Sequence, residues 1–406
     1  MKKMLFVTSS YPFGDREASF IRPEIEKLSE KFDITLVSRN SVDEQTSQPP
    51  ENVKVLRYES RKSYSVIKYI LRTIFSPYIY CEIFKLVKSK RLSLAKIKKA
   101  IRFCMRSYHF ADYLEDVRKE MGEEVVLYTY WNDYSVMALS LIKQSKDKLV
   151  SRAHRIDLYE RKENNFYLPL KEISNKKTDL IAFISKEGKE YFSKSFKTNA
   201  KKEVFYLGVK EQEVIDRKKE NEWSVYSFSY VSPVKRIDRI IGALEKVPEE
   251  FEVKWTHIGN GKLYEEMLKT ADAKLGRKKN ISYKFVGAME NSEALTFIKE
   301  QEFALLINTS ESEGIPVTMM EAMSFGIPVL GLDVGGVNEI IKNNENGYLL
   351  VADADETMIS QTLISFLKMS AEKRQAMCKN AKDTWQESYD QDKNYKEFTQ
   401  KIYNLE

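Results

Sequence analysis

The chain has 406 residues, 42 % hydrophobic and 31 % charged, with a formal net charge of +6; this is enough for two globular domains and is not the make-up of a disordered or fibrous protein. It contains no apolar run of about 18 residues, which excludes a spanning helix, and the run Met4–Val7 behind the leading lysines is too short for a signal peptide. The three cysteines, Cys81, Cys104 and Cys378, lack metal or redox spacing and fit a reducing cytoplasm.

In chain order, Lys3–Ser9 reads as a buried strand, Tyr11-Pro12-Phe13-Gly14 as a loop, residues 21–31 as a helix and Ile34–Ser38 as a second strand. That is a parallel βαβ opening. Its loop has no G-x-G-x-x-G and is not a dinucleotide fingerprint. Gly14 is either a turn glycine or the point where backbone approaches a ligand. Residues 61–110 then carry thirteen basic side chains, among them Arg61 and Lys62, against the single acid Glu82. The segment is therefore +12 and the remainder of the chain −6. Tyr64, Ile67, Ile70, Leu71, Phe75 and Tyr80 are interleaved with those charges. Helices apolar on one side and cationic on the other lie well on anionic lipid. Core helices with solvated lysines remain the competing reading, and no motif for nucleic acid accompanies the patch.

Val125–Tyr130 predicts a strand ending in Trp131-Asn132-Asp133, and Leu149–Ala153 one ending in His154-Arg155-Ile156-Asp157. A histidine at a strand's carboxyl end is placed for a ligand. Asp179–Ser185 is a further strand, Phe205–Val209 a strand end, and Lys210–Asn221 a polar linker. Trp223–Val231 opens a second domain and runs into Ser232–Arg236 and a helix over 237–244. At such a strand-to-helix turn Lys235 offsets diphosphate charge as a point cation, and Arg236 offsets it bidentately. Val253–Ile258 leads to Gly259-Asn260-Gly261, and Lys284–Gly287 is another strand end.

The densest signal lies in Phe303–Leu350. An apolar strand, Phe303–Ile307, feeds a polar loop and then a helix from Pro316 to Ser324, with Gly326 beyond it as a left-handed cap. Pro328–Leu332 is the next strand. Glu313 and Glu321 stand eight residues apart on either side of a helix N-terminus that suits a diphosphate. They either bind sugar hydroxyls or are a solvated loop acid and a helix-capping acid, and spacing alone leaves both open. Asp353-Ala354-Asp355 has the form of a metal-binding D-x-D, but its place before the helix 358–366 suits a helix cap. The tail, Ala371–Leu405, is helical and aromatic-rich.

SEGIPVTMMEA, followed by GIPVL and GGVNE, resembles the E-x7-E signature of retaining glycosyltransferases of family 4. YPFGDREASFIRPEIEKL is similar to the first loop and helix of its bacterial surface-polysaccharide subgroup, and SRAHRIDLYE to its HG-x-D segment. The resemblance implies an α/β GT-B fold, with two doubly wound Rossmann-like domains facing a cleft. Their extents are 1–209, binding acceptor, and 210–384, binding nucleotide sugar; a C-terminal helix, 385–406, crosses back with Trp385 and Tyr389 in that packing. It implies transfer of a sugar, with retention, from a nucleotide-diphosphate sugar (a UDP-sugar is the expectation) to a lipid-linked or glycan acceptor. Glu313, His154 and Lys235 then act at the reaction centre. Gly14, Arg236, Gly259, Asn260, Val286, Gly314, Ile315, Pro316, Val317 and Thr318 serve donor and nucleotide, Glu321 the ribose, and Asp157 and Tyr11 the acceptor. No metal or other cofactor and no nucleic acid is implied. The expected location is cytoplasmic, peripheral on an anionic membrane face through residues 61–110. The chain departs from the pattern at Tyr230, where the family has a diphosphate-binding arginine, and at Arg155, where it has glycine. Two other classes fit the same motifs: a GT-B sugar-nucleotide epimerase or phosphorylase, and a non-catalytic donor-binding partner subunit.

Overall fold

A computed structural model of the chain describes residues 1–14, 17–39, 44–58, 66–160, 166–215 and 223–405. The chain divides into two compact units, Met1–Phe205 together with Tyr395–Glu406, and Tyr206–Asn394.

The first unit is built on a seven-stranded parallel sheet: β1 (Lys2–Thr8), β2 (Phe32–Ser38), β3 (Val53–Arg57), β4 (Val125–Thr129), β5 (Lys148–Ala153), β6 (Leu180–Phe183) and β7 (Lys201–Val204). The spatial order is β3-β2-β1-β4-β5-β6-β7, so the winding reverses between β1 and β4. Continuous apolar runs form the central strands because both faces are covered. On one face Met4 and Phe6 pack with Ile21, Ile25, Phe398 and Ile402. On the other, Leu5 and Val7 pack with Phe110, Leu114 and Val136. Arg152 and Glu24 form an ion pair at 2.7 Å with both side chains fully buried, and the Tyr128 hydroxyl also donates to Glu24. Removing one member of such a pair costs roughly 3–5 kcal/mol, because the other is left charged and dry.

The second unit holds a six-stranded parallel sheet: β8 (Trp223–Phe228), β9 (Val253–Ile258), β10 (Ile281–Phe285), β11 (Leu305–Asn308), β12 (Val329–Leu332) and β13 (Gly347–Leu350). Its order is β10-β9-β8-β11-β12-β13, reversing between β8 and β11. Val225, Trp255, Ile240, Ile307 and Leu363 share its core. Trp255 is 1 % exposed, and truncating so large a buried ring costs about 3–5 kcal/mol.

Some expectations need correcting. Phe205–Val209 is not a strand; β7 lies just before it, and Val209 makes only an isolated bridge to Asp390. Gly208 there lies too close to the backbone of Gln391 for any side chain. β3 had no expectation, because its sequence, VKVLR, is short and half-charged, as suits an edge strand. Trp385 and Tyr389 bond within the second unit, to the carbonyls of Val209 and Glu339. The tail is two helices, Ala371–Ser388 and Gln391–Tyr403, and only from Tyr395 does the chain belong to the first unit. Asp355 is a helix cap, its carboxylate accepting from the Met358 N–H at 2.8 Å. Arg61, Lys62 and Tyr64 of the basic segment, and part of the 210–221 linker, lie outside the described residues.

Candidate active site

Parallel α/β sheets bind ligands at the carboxyl ends of strands where the winding reverses. In the second unit that point lies between β8 and β11, and the loops leaving these strands are bonded to one another. The Thr309 hydroxyl donates to the Arg236 carbonyl at 2.8 Å, and the Glu311 N–H donates to the Val234 carbonyl at 2.8 Å. This lacing puts the Lys235 ammonium 2.6 Å from the Glu313 carboxylate, with Glu313 only 8 % exposed. The two lie 78 positions apart in sequence.

Behind them, the turn after β12 braces the loop. The Gly336 N–H donates to the Gly314 carbonyl at 2.7 Å. Gly335 has φ +56°, and a Cβ on it would collide with the Glu313 carbonyl. Both glycines are therefore required, one for its conformation and one for close approach. Pro316 caps the helix Val317–Ser324 without a side-chain bond, and Ile315 is buried beneath Gly336. Val317 and Thr318, half-buried in the first turn, present free N–H groups and the positive end of the helix dipole.

Glu321 sits about one turn further on, 4 % exposed, and accepts from the Asn291 amide at 2.7 Å. Burial pushes its carboxyl up to about 7, partly offset by that hydrogen bond. It therefore has a different protonation chemistry from an ordinary surface acid. Across the sheet, Gly259 has φ +130° and its N–H donates to the Gly287 carbonyl at 2.8 Å. The Val286 N–H is taken by His257, so only its carbonyl is left for a ligand. Asn260 is exposed.

The arginine is placed otherwise than expected. Arg236 adopts a left-handed conformation (φ 48°) and directs its guanidinium to Asp238 at 2.8 Å and to Glu311. It is already neutralised by two carboxylates. Tyr230, in the position where the resemblance expects arginine, is 56 % exposed. Lys235 is thus the cation this loop points at Glu313.

In the first unit the reversal falls between β1 and β4. Glu17, 4 % exposed, ties the loop after β1 together, accepting from the backbone of Ser10 and of Tyr11 at 3.0 Å and from the Trp131 indole of the loop after β4. Gly14 has φ +76°. Tyr11 does not face an acceptor: it is wholly buried in the core, where its hydroxyl finds no partner and burial pushes it up to about 12. A ring among apolar neighbours at the end of β1 packs inward.

His154 follows β5 and is 8 % exposed, wedged between the rings of Tyr130 and Trp131 at centroid distances of 4.6 Å. Neither ring nitrogen has a hydrogen-bond partner. Burial, with Arg152 behind it, holds its pKa well below the ordinary histidine value, so it is neutral at pH 7. Asp157 accepts from the His154 backbone N–H at 2.7 Å and from the Asn132 N–H at 2.6 Å. Burial raises the Asp157 carboxyl and lowers the Lys171 ammonium, each partly offset by the charge of the other. Asp157 therefore orients backbone, not the imidazole.

Sequence reasoning missed Asn291, Thr309, Glu311, Glu17 and Lys171. Of these only Glu17 had a usable signal, an acid inside the quoted first-loop pattern. The basic segment forms helices over Val66–Ile74, Pro77–Lys88 and Leu94–Lys119. Ile67, Leu71, Phe84, Val87 and Leu94 are exposed on them, and Phe75 in the turn between the first two, at 48–79 %. Among the described residues no helix is long and apolar enough to cross a membrane.

The fold defines the class. The chain superposes over 98 % of its length, and of the other's, on sucrose-phosphate synthase from Thermosynechococcus elongatus, with TM-score 0.72 at 12 % identity. It superposes over 100 % of both chains on HepE of Anabaena in complex with UDP, with TM-score 0.67 at 16 % identity. The architecture is the two-domain GT-B fold. Residues 209–384 match the family model Glycosyl transferases group 1, and the chain thus carries a domain of that family. Among curated relatives, the N-acetyl-alpha-D-glucosaminyl L-malate synthase of Bacillus anthracis is 28 % identical over 153 residues, covering 37 % of each chain. The amylovoran biosynthesis glycosyltransferase AmsK of Erwinia amylovora is 36 % identical over 100 residues, 24 % of each chain. These alignments span less than half the length of either relative.

Proposed function

We propose that this protein transfers a sugar from a nucleotide-diphosphate sugar, a UDP-sugar, to a hydroxyl of a lipid-linked or glycan acceptor, with retention at the anomeric carbon. The observation that carries the reading is the pair of half-buried Lys235 with buried Glu313 at the winding reversal of a group 1 domain, beside the helix start at Val317. The bond from the anomeric carbon to the diphosphate oxygen breaks, and its electron pair leaves on the nucleoside diphosphate. The acceptor oxygen forms the new bond, and its proton passes to the departing phosphate. Lys235 and the amides of Val317 and Thr318 stabilise the developing charge. Glu313 holds the donor sugar, Glu321 the ribose hydroxyls, and the neutral His154 supplies a hydrogen bond without adding charge. No metal is assigned a role.

The test is UDP release from a panel of UDP-sugars by wild type and Glu313→Ala. Turnover in wild type and its loss in the variant support the reading. Donor binding with no turnover under any acceptor favours instead a non-catalytic donor-binding subunit. One observation supports that second reading: Tyr230 supplies no cation, and Arg236 is already held by Asp238 and Glu311.

The basic helices are proposed to lie on an anionic membrane face. Lys85 and Arg91 are engaged by Glu172 and Glu160, so the informative charge reversals are Lys88, Lys90 and Lys98, together with Phe84→Ser. Loss of sedimentation with liposomes containing anionic lipid is expected; unaltered sedimentation sinks the membrane role.

A further inference from the structure

A cavity of about 500 Å³ opens in the first unit at the carboxyl ends of β1, β2, β4 and β5. That volume is ordinary for a small-molecule site. One wall is the helix Leu94–Lys119, which presents Lys99, Arg102 and Arg106 at spacings of three and four, hence on one side. The floor comes from the loops after the strands.

The charges lining it do not balance. Five cations, Arg39, Lys99, Arg102, Arg106 and Lys171, face two carboxylates, Asp133 and Asp157. Arg39 pairs with Asp133 at 2.6 Å. Lys171 is buried against Asp157 and bonds the carbonyls of Asn132 and Asp157. Lys99, Arg102 and Arg106 are left over, and among the described residues none has a carboxylate within ion-pair distance. Lys99 lies over the Phe166 ring at 4.2 Å, and Arg106 near that of Tyr134 at 5.9 Å. All three are exposed at the cavity mouth; partial burial lowers the Lys99 ammonium, offset in part by the more distant charge of Glu160. Three like charges around one cavity repel one another unless an anion joins them. Guanidinium forks fit the oxygens of phosphate, while Trp131, Tyr134 and Phe166 give that anion an apolar or sugar-stacking neighbour.

We infer that this cavity binds an acceptor bearing a phosphate or diphosphate, with Arg102 and Arg106 on its oxygens and Lys99 as a third charge. The inference rests on the transferase reading and assigns the acceptor's chemical class. The phosphate is that of a diphosphate-linked lipid or of a soluble sugar phosphate, and the experiment separates the two.

Isothermal titration is done with the full chain in saturating UDP, so that the second unit's phosphate groups are already occupied. The probes are farnesyl diphosphate, galactose 1-phosphate, inorganic pyrophosphate and farnesol. Saturable binding of a phosphate probe, weakened about tenfold or more in the Arg102→Ala/Arg106→Ala variant and largely kept in Arg102→Lys/Arg106→Lys, supports the inference. Tighter binding of farnesyl diphosphate assigns the lipid source; tighter binding of galactose 1-phosphate assigns the soluble one. No saturable binding of any phosphate probe overturns it. So does equal binding by wild type and the alanine variant, or farnesol binding as tightly as its diphosphate. The titration uses no sugar donor, so a chain that binds phosphate here yet never turns over a UDP-sugar would fail the transferase reading alone.

Discussion

The two winding reversals are built on the same topology but treat charge in opposite ways. In the second unit the cations are already matched: Lys235 to Glu313, and Arg236 to Asp238 and Glu311. In the first unit the matched charges lie deep, Arg39 with Asp133 and Lys171 beside Asp157, while Lys99, Arg102 and Arg106 stand unmatched at the cavity wall. A diphosphate arriving at Lys235 must compete with a carboxylate. Anion binding in the second unit is therefore an exchange of partners, which favours selectivity, and in the first unit an addition, which favours affinity at low salt.

Breaking the exchange should have the largest effect. Lys235→Ala removes the cation and leaves Glu313 buried without its partner; UDP-sugar turnover is expected to fall by roughly 10²–10³, the range seen for lost transition-state electrostatics. Lys235→Arg keeps the charge, and steady-state kinetics showing both variants near wild type would remove Lys235 from the mechanism. Next comes Gly335→Ala. A left-handed alanine costs about 1–2 kcal/mol by itself, and its Cβ meets the Glu313 carbonyl. The melting temperature should drop by several degrees, with turnover reduced more than stability; an unchanged melting curve would show that the turn is not a brace.

The pH dependence sharpens the comparison further. Glu321 has a native pKa of about 7, above its ordinary value. The native state therefore binds more protons than the unfolded chain between about pH 4.5 and 7. Stability from this group is present at low pH, falls as pH rises through that window, and is flat above it. Glu321→Gln should flatten the slope of melting temperature between pH 5 and 7.5, leaving the variant more stable than wild type at pH 8. A variant with the full wild-type slope would contradict this. The smallest effect is expected at Asn291→Ala, which frees the Glu321 carboxylate from its amide: about 1 kcal/mol of stability and a modest rise in KM for donor, readable by thermal shift with and without UDP.

Legibility in the sequence followed sequence distance. The central strands of both sheets were readable because doubly covered strands must be apolar throughout, whereas the half-polar edge strands β3 and β7 were not. Glu313 and Glu321 were readable because the loop and helix carrying them are one local unit. Asn291 is 30 positions from the acid it holds, and nothing in its surroundings marks it. The pairing of Arg236 with Glu311 spans 75 positions, so an arginine that looks free beside Lys235 turns out to be occupied. Tyr11 misled for the converse reason: a loop position fixed its place in the chain but not the direction of its ring. The cavity wall lay hidden inside a charge run that read as a surface. The helix register sorts those charges, sending Lys99, Arg102 and Arg106 to one side and Lys96 and Cys104 inward.

The brace formed by Gly335 and Gly336 has a consequence for how this loop can vary in length. The Gly336 N–H to Gly314 carbonyl bond holds one end of residues 309–314 through main-chain atoms, and the Thr309 hydroxyl, bonded to the Lys235 and Arg236 carbonyls, holds the other. Side-chain exchange at Ser310 or Ser312 leaves those pins in place. One residue inserted between Thr309 and Glu313 does not: it rotates the carboxylate off the lysine while β11 and the helix after Pro316 keep their packing, giving a folded protein whose Lys235–Glu313 pair is broken.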